Sequence, residues 1–354
     1  MQAVAGEAAA LDRVVEALLG PADRVRRVLL GAFAPWLRPV FARRDLRVGL
    51  MGVAGVSFAL GLVAAAPLWC LLWGPLLVGV PHLLADARYL VARQGLHRRA
   101  GFWAAVALPA ALTWSSPRAP LGLVAVVGAA AIARTSLLRR AAVAVPAALL
   151  VAAALRAEAR VSLAFAHAHN VVALALWWAW ARGRGRWRAL VPACAAAGAC
   201  AVALGALDDV ALRPWALRAP AAGFDLGVVA GELSPVDPAR HPLAAARWAL
   251  AFAFLQSVHY LAWLRLLPDE DRARSGVRGF VGSYRALVAD VGRPLVALAA
   301  LAVVALVVGG MASGVAARGA YLRLAFGHGY LELAVVALLA LEGRWRRADG
   351  GAVA

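Results

Sequence analysis

The sequence predicts an all-α, polytopic integral membrane protein: a helical bundle of about ten transmembrane helices with both termini in the cytoplasm. The 354 residues are 63% hydrophobic and only 16% charged, and the mean hydropathy is +0.75. Soluble domains are nearer half apolar and a quarter charged. Short arginine clusters also separate long apolar runs, which is typical of cytoplasmic loops between membrane helices.

The first 47 residues are distinct from the apolar runs that follow. Apolar residues recur at helical spacing between Leu11 and Leu19, and seven arginines follow between Arg24 and Arg47. A basic amphipathic segment of this kind binds the anionic cytoplasmic face of a membrane. We therefore predict residues 1–47 to be an interfacial helix that orients the protein.

The transmembrane domain is predicted over residues 48–341. A helix needs about 20 apolar residues to cross the hydrocarbon core. Ten runs meet or approach that length: 48–66, 69–92, 102–115, 121–138, 141–156, 161–181, 189–206, 243–266, 294–313 and 319–341. We expect the third, fourth and fifth spans to be peripheral, because Arg134 is the only polar group that they contribute.

Arginine distribution predicts the orientation. Arginine-rich flanks precede the first span and follow the second, fourth, sixth, eighth and tenth, whereas the alternate connections are arginine-poor or charge-balanced. Arginine accumulates on the cytoplasmic side, so we predict cytoplasmic termini, with 342–354 as a cytoplasmic tail, in a bacterial inner membrane. These flanks account for the net charge of +18, and we expect no nucleic-acid partner.

Two connections are longer than the others. The outer segment 207–242 carries five acidic residues among prolines and glycines, and could cover an outward-facing cavity. The inner segment 268–294 opens with the sequence PDEDRAR. It predicts a solvated turn followed by an interfacial helix.

Histidine is concentrated in the apolar runs. Five of the seven histidines lie inside predicted spans, where ionisable groups are costly and usually face a protein interior or a water-filled cavity. The four spans that hold them are even-numbered, so all four run in the same direction. Imidazole is the commonest protein ligand of metals, and we predict one metal site formed by His82, His169, His259 and His328.

The sixth span offers a choice between two histidines. His167 and His169 lie about 200° apart around a helix, so only one can face a shared site. We choose His169, because Asn170 continues a polar patch there.

Two carboxylates and two tyrosines complete the predicted site. Asp86 and Glu332 each follow a histidine of their own span by four residues, which places both groups on one helix face. Such a carboxylate can fix the tautomer of the imidazole or ligate the metal directly. We predict that Asp86 and Glu332 orient the ligands and that Tyr260 or Tyr330 supplies a hydrogen-bond donor.

The pattern GxPHxxxD at Gly79–Asp86, with single histidines on several later spans, resembles the Brp/Blh family of bacterial membrane β-carotene dioxygenases. Leu83 stands where that family usually has glycine. The resemblance implies an all-helical membrane enzyme that holds non-haem iron through histidines and cleaves a carotenoid to retinal.

These observations predict a membrane-embedded, metal-dependent oxygenase. Its cofactor would be non-haem iron, or else another transition metal or haem. Its partners would be dioxygen, membrane lipids and a hydrophobic isoprenoid or lipid substrate from the bilayer. Two alternatives stay open: two b-type haems, one held by His82 and His259 and the other by His169 and His328, or a transporter in which these groups relay protons.

Overall fold

The structure, a computed structural model, describes residues 2–180, 185–272 and 278–344. Most of the predicted tail, 345–354, and parts of two arginine-rich flanks, 181–184 and 273–277, lie outside these ranges. Within them the chain is helical, with no β-strand. The helices of eight or more residues are α1 Gln2–Ala42, α2 Arg44–Ala65, α3 Pro67–Ala92, α4 Ala100–Leu112, α5 Ala119–Ile132, α6 Leu137–Arg156, α7 Glu158–Trp180, α8 Arg186–Ala203, α9 Leu226–Leu233, α10 Pro242–Asp271, α11 Phe280–Val291, α12 Arg293–Ala312 and α13 Gly314–Leu341.

Seven of the described helices are long and apolar enough to cross a membrane: α2, α3, α6, α7, α10, α12 and α13. The apolar helices α4 and α5 are shorter, and α8 begins with the charged pair Arg186 and Arg188. Each of the ten predicted runs coincides with one helix, from α2 to α8 and then α10, α12 and α13. The all-helical class is therefore confirmed for the described residues, and the apolar helices indicate a multi-pass membrane protein.

Three helices form the centre of the bundle. In their most apolar stretches, 56% of the residues of α3, 67% of α10 and 50% of α13 are buried, against 11% for α6 and 6% for α12. The prediction that α5 is peripheral was wrong, since eight of its 14 residues are buried. Helix α5 is rich in alanine and glycine, and small residues let neighbouring helices approach closely.

Gly128 of α5 shows how close this packing is. A Cβ atom at Gly128 would collide with the backbone carbonyl oxygen of Ala105 in α4. We expect Gly128→Val to lower the free energy of unfolding by roughly 1–3 kcal/mol or more, because the two backbones must separate. Thermal unfolding in detergent measures this. Gly61→Val in α2 is the matched control, because a Cβ there meets nothing within 4 Å.

Wide turns interrupt α3 and α10 beside their histidines. In α3 the turns Pro75–Gly79 and Ala87–Ala92 are π-helical, and so is Ala262–Leu266 in α10. Pro81 has no amide N–H, so one backbone carbonyl of α3 loses its usual helical hydrogen bond. A local π turn gives such carbonyls another hydrogen-bond donor. The α-helical segment Val80–Asp86 therefore has a π turn at each end.

The N-terminal helix α1 is tied to the rest of the chain by carboxylates. Asp12 accepts hydrogen bonds from the Tyr284 hydroxyl at 2.8 Å and from Arg293 Nη2 at 2.7 Å. These two bonds hold the pKa of Asp12 below its ordinary value, and the bond from Arg293 has the larger effect. Asp23 accepts a bond from the backbone amide of Phe280, at the start of α11. The position of α1 on a membrane surface stays a prediction.

The acidic motif that opens segment 268–294 is buried. Helix α10 continues through it, and Asp269, Glu270 and Asp271 are 1%, 3% and 9% exposed. Each of the three pairs with arginine. Asp269 lies 2.9 Å from Arg265 and 3.5 Å from Arg47, and it also pairs with Arg272. Glu270 lies 3.1 Å from Arg188, and Asp271 lies 2.6 Å from Arg93. The prediction of a solvated turn was wrong, because arginines of the same stretch of chain and of other parts of the fold pair with these carboxylates. We call this group the α10 ion-pair cluster.

Candidate metal centre

Four histidines from four helices meet inside the bundle. His82 of α3, His169 of α7, His259 of α10 and His328 of α13 have neighbouring ring centroids 4.6–5.3 Å apart. His82 and His259 are each 1% exposed. The structure thus places all four predicted ligands in one cluster, although 69–90 residues separate each from the next.

Glycine in α3 allows this close approach. A Cβ atom at Gly79, three residues before His82, would overlap the ring of Tyr321 in α13. The backbone of α3 therefore lies directly against a side chain of α13. A larger residue at Gly79 would push apart the two helices that carry His82 and His328.

His328 occupies the middle of the cluster. Its Nε2 lies 3.0 Å from His82 Nε2 and 3.1 Å from His169 Nε2. Two ligands bound at right angles about 2.1 Å from one ion would be about 3.0 Å apart, so this spacing is compatible with shared coordination. His328 Nδ1 donates to the backbone carbonyl of Ala325. Neutral His328 therefore has its lone pair on Nε2, as a metal ligand requires.

Both predicted carboxylates are buried beside this cluster. Glu332 Oε2 lies 3.1 Å from His169 Nδ1, and Asp86 Oδ2 lies 3.8 Å from His328 Nε2. Each carboxylate therefore approaches a histidine of another helix, and not only the one that precedes it by four residues. No oxygen of Asp86 or Glu332 makes a hydrogen bond of ordinary geometry in the described chain, so the 3.1 Å approach of Glu332 to His169 is a contact at ion-pair distance. A buried polar group without a partner is costly, and a bound cation would satisfy these oxygens.

His259 is also available as a ligand. Neither of its ring nitrogens makes a hydrogen bond of ordinary geometry within the described ranges, although the backbone of His169 and Asn170 lies nearby. Single atoms of His169, His259, His328 and Glu332 lie within 4.8 Å of one another, as do single atoms of His82, Asp86 and His328. This buried group of histidines and carboxylates could hold a metal ion.

The two candidate tyrosines occupy different places. The ring of Tyr260 lies 4.8 Å from that of His82, and its hydroxyl lies 3.4 Å from that of Tyr321. Tyr330 instead stacks on Phe165 at 4.2 Å between centroids, and a Cβ at Gly122 of α5 would overlap its ring. The structure brings Tyr260 to the histidines and leaves Tyr330 one ring further away.

His167 faces away from the cluster. Its Nε2 lies 2.9 Å from the carbonyl oxygen of Leu233 in α9, and its ring packs against those of Trp248 and Phe252. His167 therefore ties the connection 207–242 to α7, while His169 joins the other histidines.

An apolar cavity of about 280 Å³ adjoins the four histidines. Phe165, Phe252, Leu322 and Phe326 are among its lining residues. The cavity is also lined by Arg318 of α13, which pairs with Glu232 of α9 at 2.8 Å. Sequence reasoning missed this pair, because Arg318 immediately precedes the last predicted span and its partner lies 86 residues away.

Comparisons of the chain with protein-family models, with curated proteins and with solved structures find no match.

Proposed function

We propose that this protein is a membrane-embedded, histidine-ligated non-haem iron oxygenase that acts on a hydrophobic isoprenoid or lipid substrate. The observation that carries the proposal is the convergence of four histidines and two buried carboxylates at one cavity lined mainly by apolar side chains. Imidazole and carboxylate donors suit iron and related transition metals. The motif at Gly79–Asp86 and its resemblance to the Brp/Blh family support the same class of reaction.

In this proposal His82, His169, His259 and His328 hold the iron. Bound iron would supply the activation of dioxygen. Glu332 lies 3.1 Å from His169 Nδ1, where it orients that ring and raises its basicity as a ligand. Asp86 instead lies 3.8 Å from His328 Nε2, the nitrogen that would face the iron, while His328 Nδ1 is held by the Ala325 carbonyl. Asp86 would therefore be a direct ligand, the other role open to such a carboxylate.

The cavity positions the substrate and keeps water out. Its aromatic and aliphatic lining binds an apolar chain, and exclusion of water limits side reactions of reactive species. Tyr260 lines the cavity next to His82, so its hydroxyl can donate a hydrogen bond to an oxygen atom of a bound substrate or product. The substrate reaches the cavity from the bilayer.

A single cluster favours one metal site over two b-type haems. Each haem would need its own pair of histidines with a macrocycle between them. The ring of His328 instead lies 4.8 Å from both His82 and His169, and the ring of His259 lies 4.6 Å from His169. The four histidines therefore do not divide into two separate pairs that could each hold a haem.

The test of function is dioxygen uptake by the iron-loaded protein. We expect detergent-purified protein loaded with Fe(II) to consume dioxygen when a carotenoid such as β-carotene is added, and to release an aldehyde. The same protein loaded with Zn(II) should do neither, because zinc has no redox chemistry. His82→Ala should abolish uptake. A Soret band in the purified protein would favour the haem alternative. Iron-loaded protein inert toward carotenoids, other isoprenoids and membrane lipids would contradict the proposal.

We also propose ten spans with cytoplasmic termini in a bacterial inner membrane. Reporter tags fused to each end of the chain should both be found in the cytoplasm, because the arginine-rich flanks all fall on that side of a ten-span layout. A tag inserted in segment 207–242 should be found outside. A periplasmic signal from either terminus would contradict this layout.

A further inference from the structure

The α9 end of the cavity carries a buried cation. Arg318 of α13 is 6% exposed and lines the cavity. Its Nε donates to the Leu71 carbonyl at 3.2 Å, and its guanidinium lies 5.4 Å from the ring centroid of Phe224. These contacts hold the guanidinium in place. Burial of a charged arginine is costly unless an anion accompanies it.

The anion that accompanies Arg318 is less firmly placed. Glu232 accepts a hydrogen bond from Arg318 Nη1 at 2.8 Å, but the Glu232 side chain is 48% exposed while that of Arg318 is 8% exposed. Glu232 can therefore turn into water at small cost, whereas Arg318 cannot follow. A second carboxylate could take the place of Glu232 and keep the guanidinium paired.

We infer that Arg318 is the recognition site for a terminal carboxylate, and that the protein binds an amphipathic lipid or isoprenoid acid with its chain along the cavity. This inference rests on the proposed function, because it names the substrate class of the same cavity. The carboxylate displaces Glu232, and the apolar chain lies between Phe165, Phe252 and Phe326.

The separation of Arg318 and His328 along α13 decides which part of such a substrate meets the histidines. Arg318 precedes His328 by ten residues of one helix, which is about 15 Å along the axis. A carboxylate held by Arg318 therefore lies about three helical turns from His328, so an interior part of the chain, and not the carboxylate, lies beside the histidines. Arg318 thus acts as a positioning residue for the site of oxidation.

Binding of a fluorescent polyene acid tests the inference without turnover. The probes are cis-parinaric acid and its methyl ester, which share a chain and differ in charge. Wild-type protein should bind the acid about tenfold more tightly than the ester, a ratio typical of one charge-assisted hydrogen bond. Arg318→Gln should remove this preference. Glu232→Gln should tighten binding of the acid severalfold, because the competing carboxylate is gone.

The controls separate this inference from the proposed function. Arg323→Gln replaces an exposed arginine of the same helix and should keep the preference for the acid over the ester. Some probe also dissolves in the detergent, but this background is the same for every variant and cancels when variants are compared. Equal binding of acid and ester by the wild type, or a preference retained in Arg318→Gln, would overturn the inference. If Arg318→Gln does not fold, unchanged acid binding in Glu232→Gln would overturn it.

Metal content is measured on the same samples. Iron retained in a wild-type protein that does not prefer the acid would sink the inference and leave the iron site standing. A preference for the acid in a wild-type protein that binds no transition metal would support the inference and contradict the proposed oxygenase.

Discussion

Replacement of His328 by alanine is expected to strip the metal from the protein. His328 belongs to both groups of candidate ligands, and its Nε2 is the atom that His82 and His169 both approach. Its loss should cost more affinity than the roughly 10–100-fold that follows loss of an outer partner of a ligand. We expect about one transition-metal ion per wild-type chain and almost none in His328→Ala, because a site that has lost a ligand no longer holds its metal.

Metal analysis by mass spectrometry measures this result. His82→Ala and His259→Ala should behave like His328→Ala. The matched controls are His97→Ala and His241→Ala, which lie in a turn before α4 and just before α10 and should retain full occupancy. Glu332→Gln should give an intermediate content, because it keeps the volume of the side chain and loses its charge. Full occupancy in His328→Ala would end the metal hypothesis.

The second large effect concerns stability. Asp269→Ala should lower the free energy of unfolding by roughly 3–5 kcal/mol, the usual cost of breaking a buried ion pair from one side. Asp269 is 1% exposed and lies within ion-pair distance of three arginines: Arg47, Arg265 and Arg272. Its removal takes the negative charge from the centre of the α10 ion-pair cluster.

Thermal unfolding in detergent measures the effect, with metal content monitored in parallel. Asp237→Ala is the matched control, because it also pairs with an arginine but both side chains are more than half exposed, and exposed pairs contribute little. We expect its unfolding midpoint to match the wild type. An Asp269→Ala protein as stable as the wild type would mean that the cluster does not hold the helices together.

The helices could be predicted from the sequence because they depend on local patterns. Apolar runs place ten helices at the positions where they are found, since hydrophobic length and arginine flanks are properties of neighbouring residues. Histidines on four of those helices indicated a shared interior, because ionisable groups are seldom placed in lipid. The angle of about 100° per residue showed that only one of His167 and His169 can face the site, and the neighbouring Asn170 indicated His169.

Contacts between helices could not be predicted in the same way. The carboxylates approach histidines of other helices, because the neighbour of a buried group is decided by helix packing and not by spacing of four residues. Tyr330 lies near His328 in sequence but turns toward Phe165 and α5. The motif at Asp269 appeared solvated because its charge is visible in the sequence, whereas three arginines that pair with the motif, Arg47, Arg93 and Arg188, lie in remote parts of the chain.

The two π turns of α3 have a consequence for changes in chain length. A π turn contains one residue more than the α-helical turn that it replaces, so α3 holds a surplus residue on each side of the segment Val80–Asp86. Deletion of a surplus residue converts the turn to an ordinary one and leaves the phase of the helix unchanged. Deletion inside Val80–Asp86 would rotate everything beyond it by about 100°. Deletion of one residue within either π turn is therefore absorbed in that turn, and the orientation of His82 toward the cluster is unchanged.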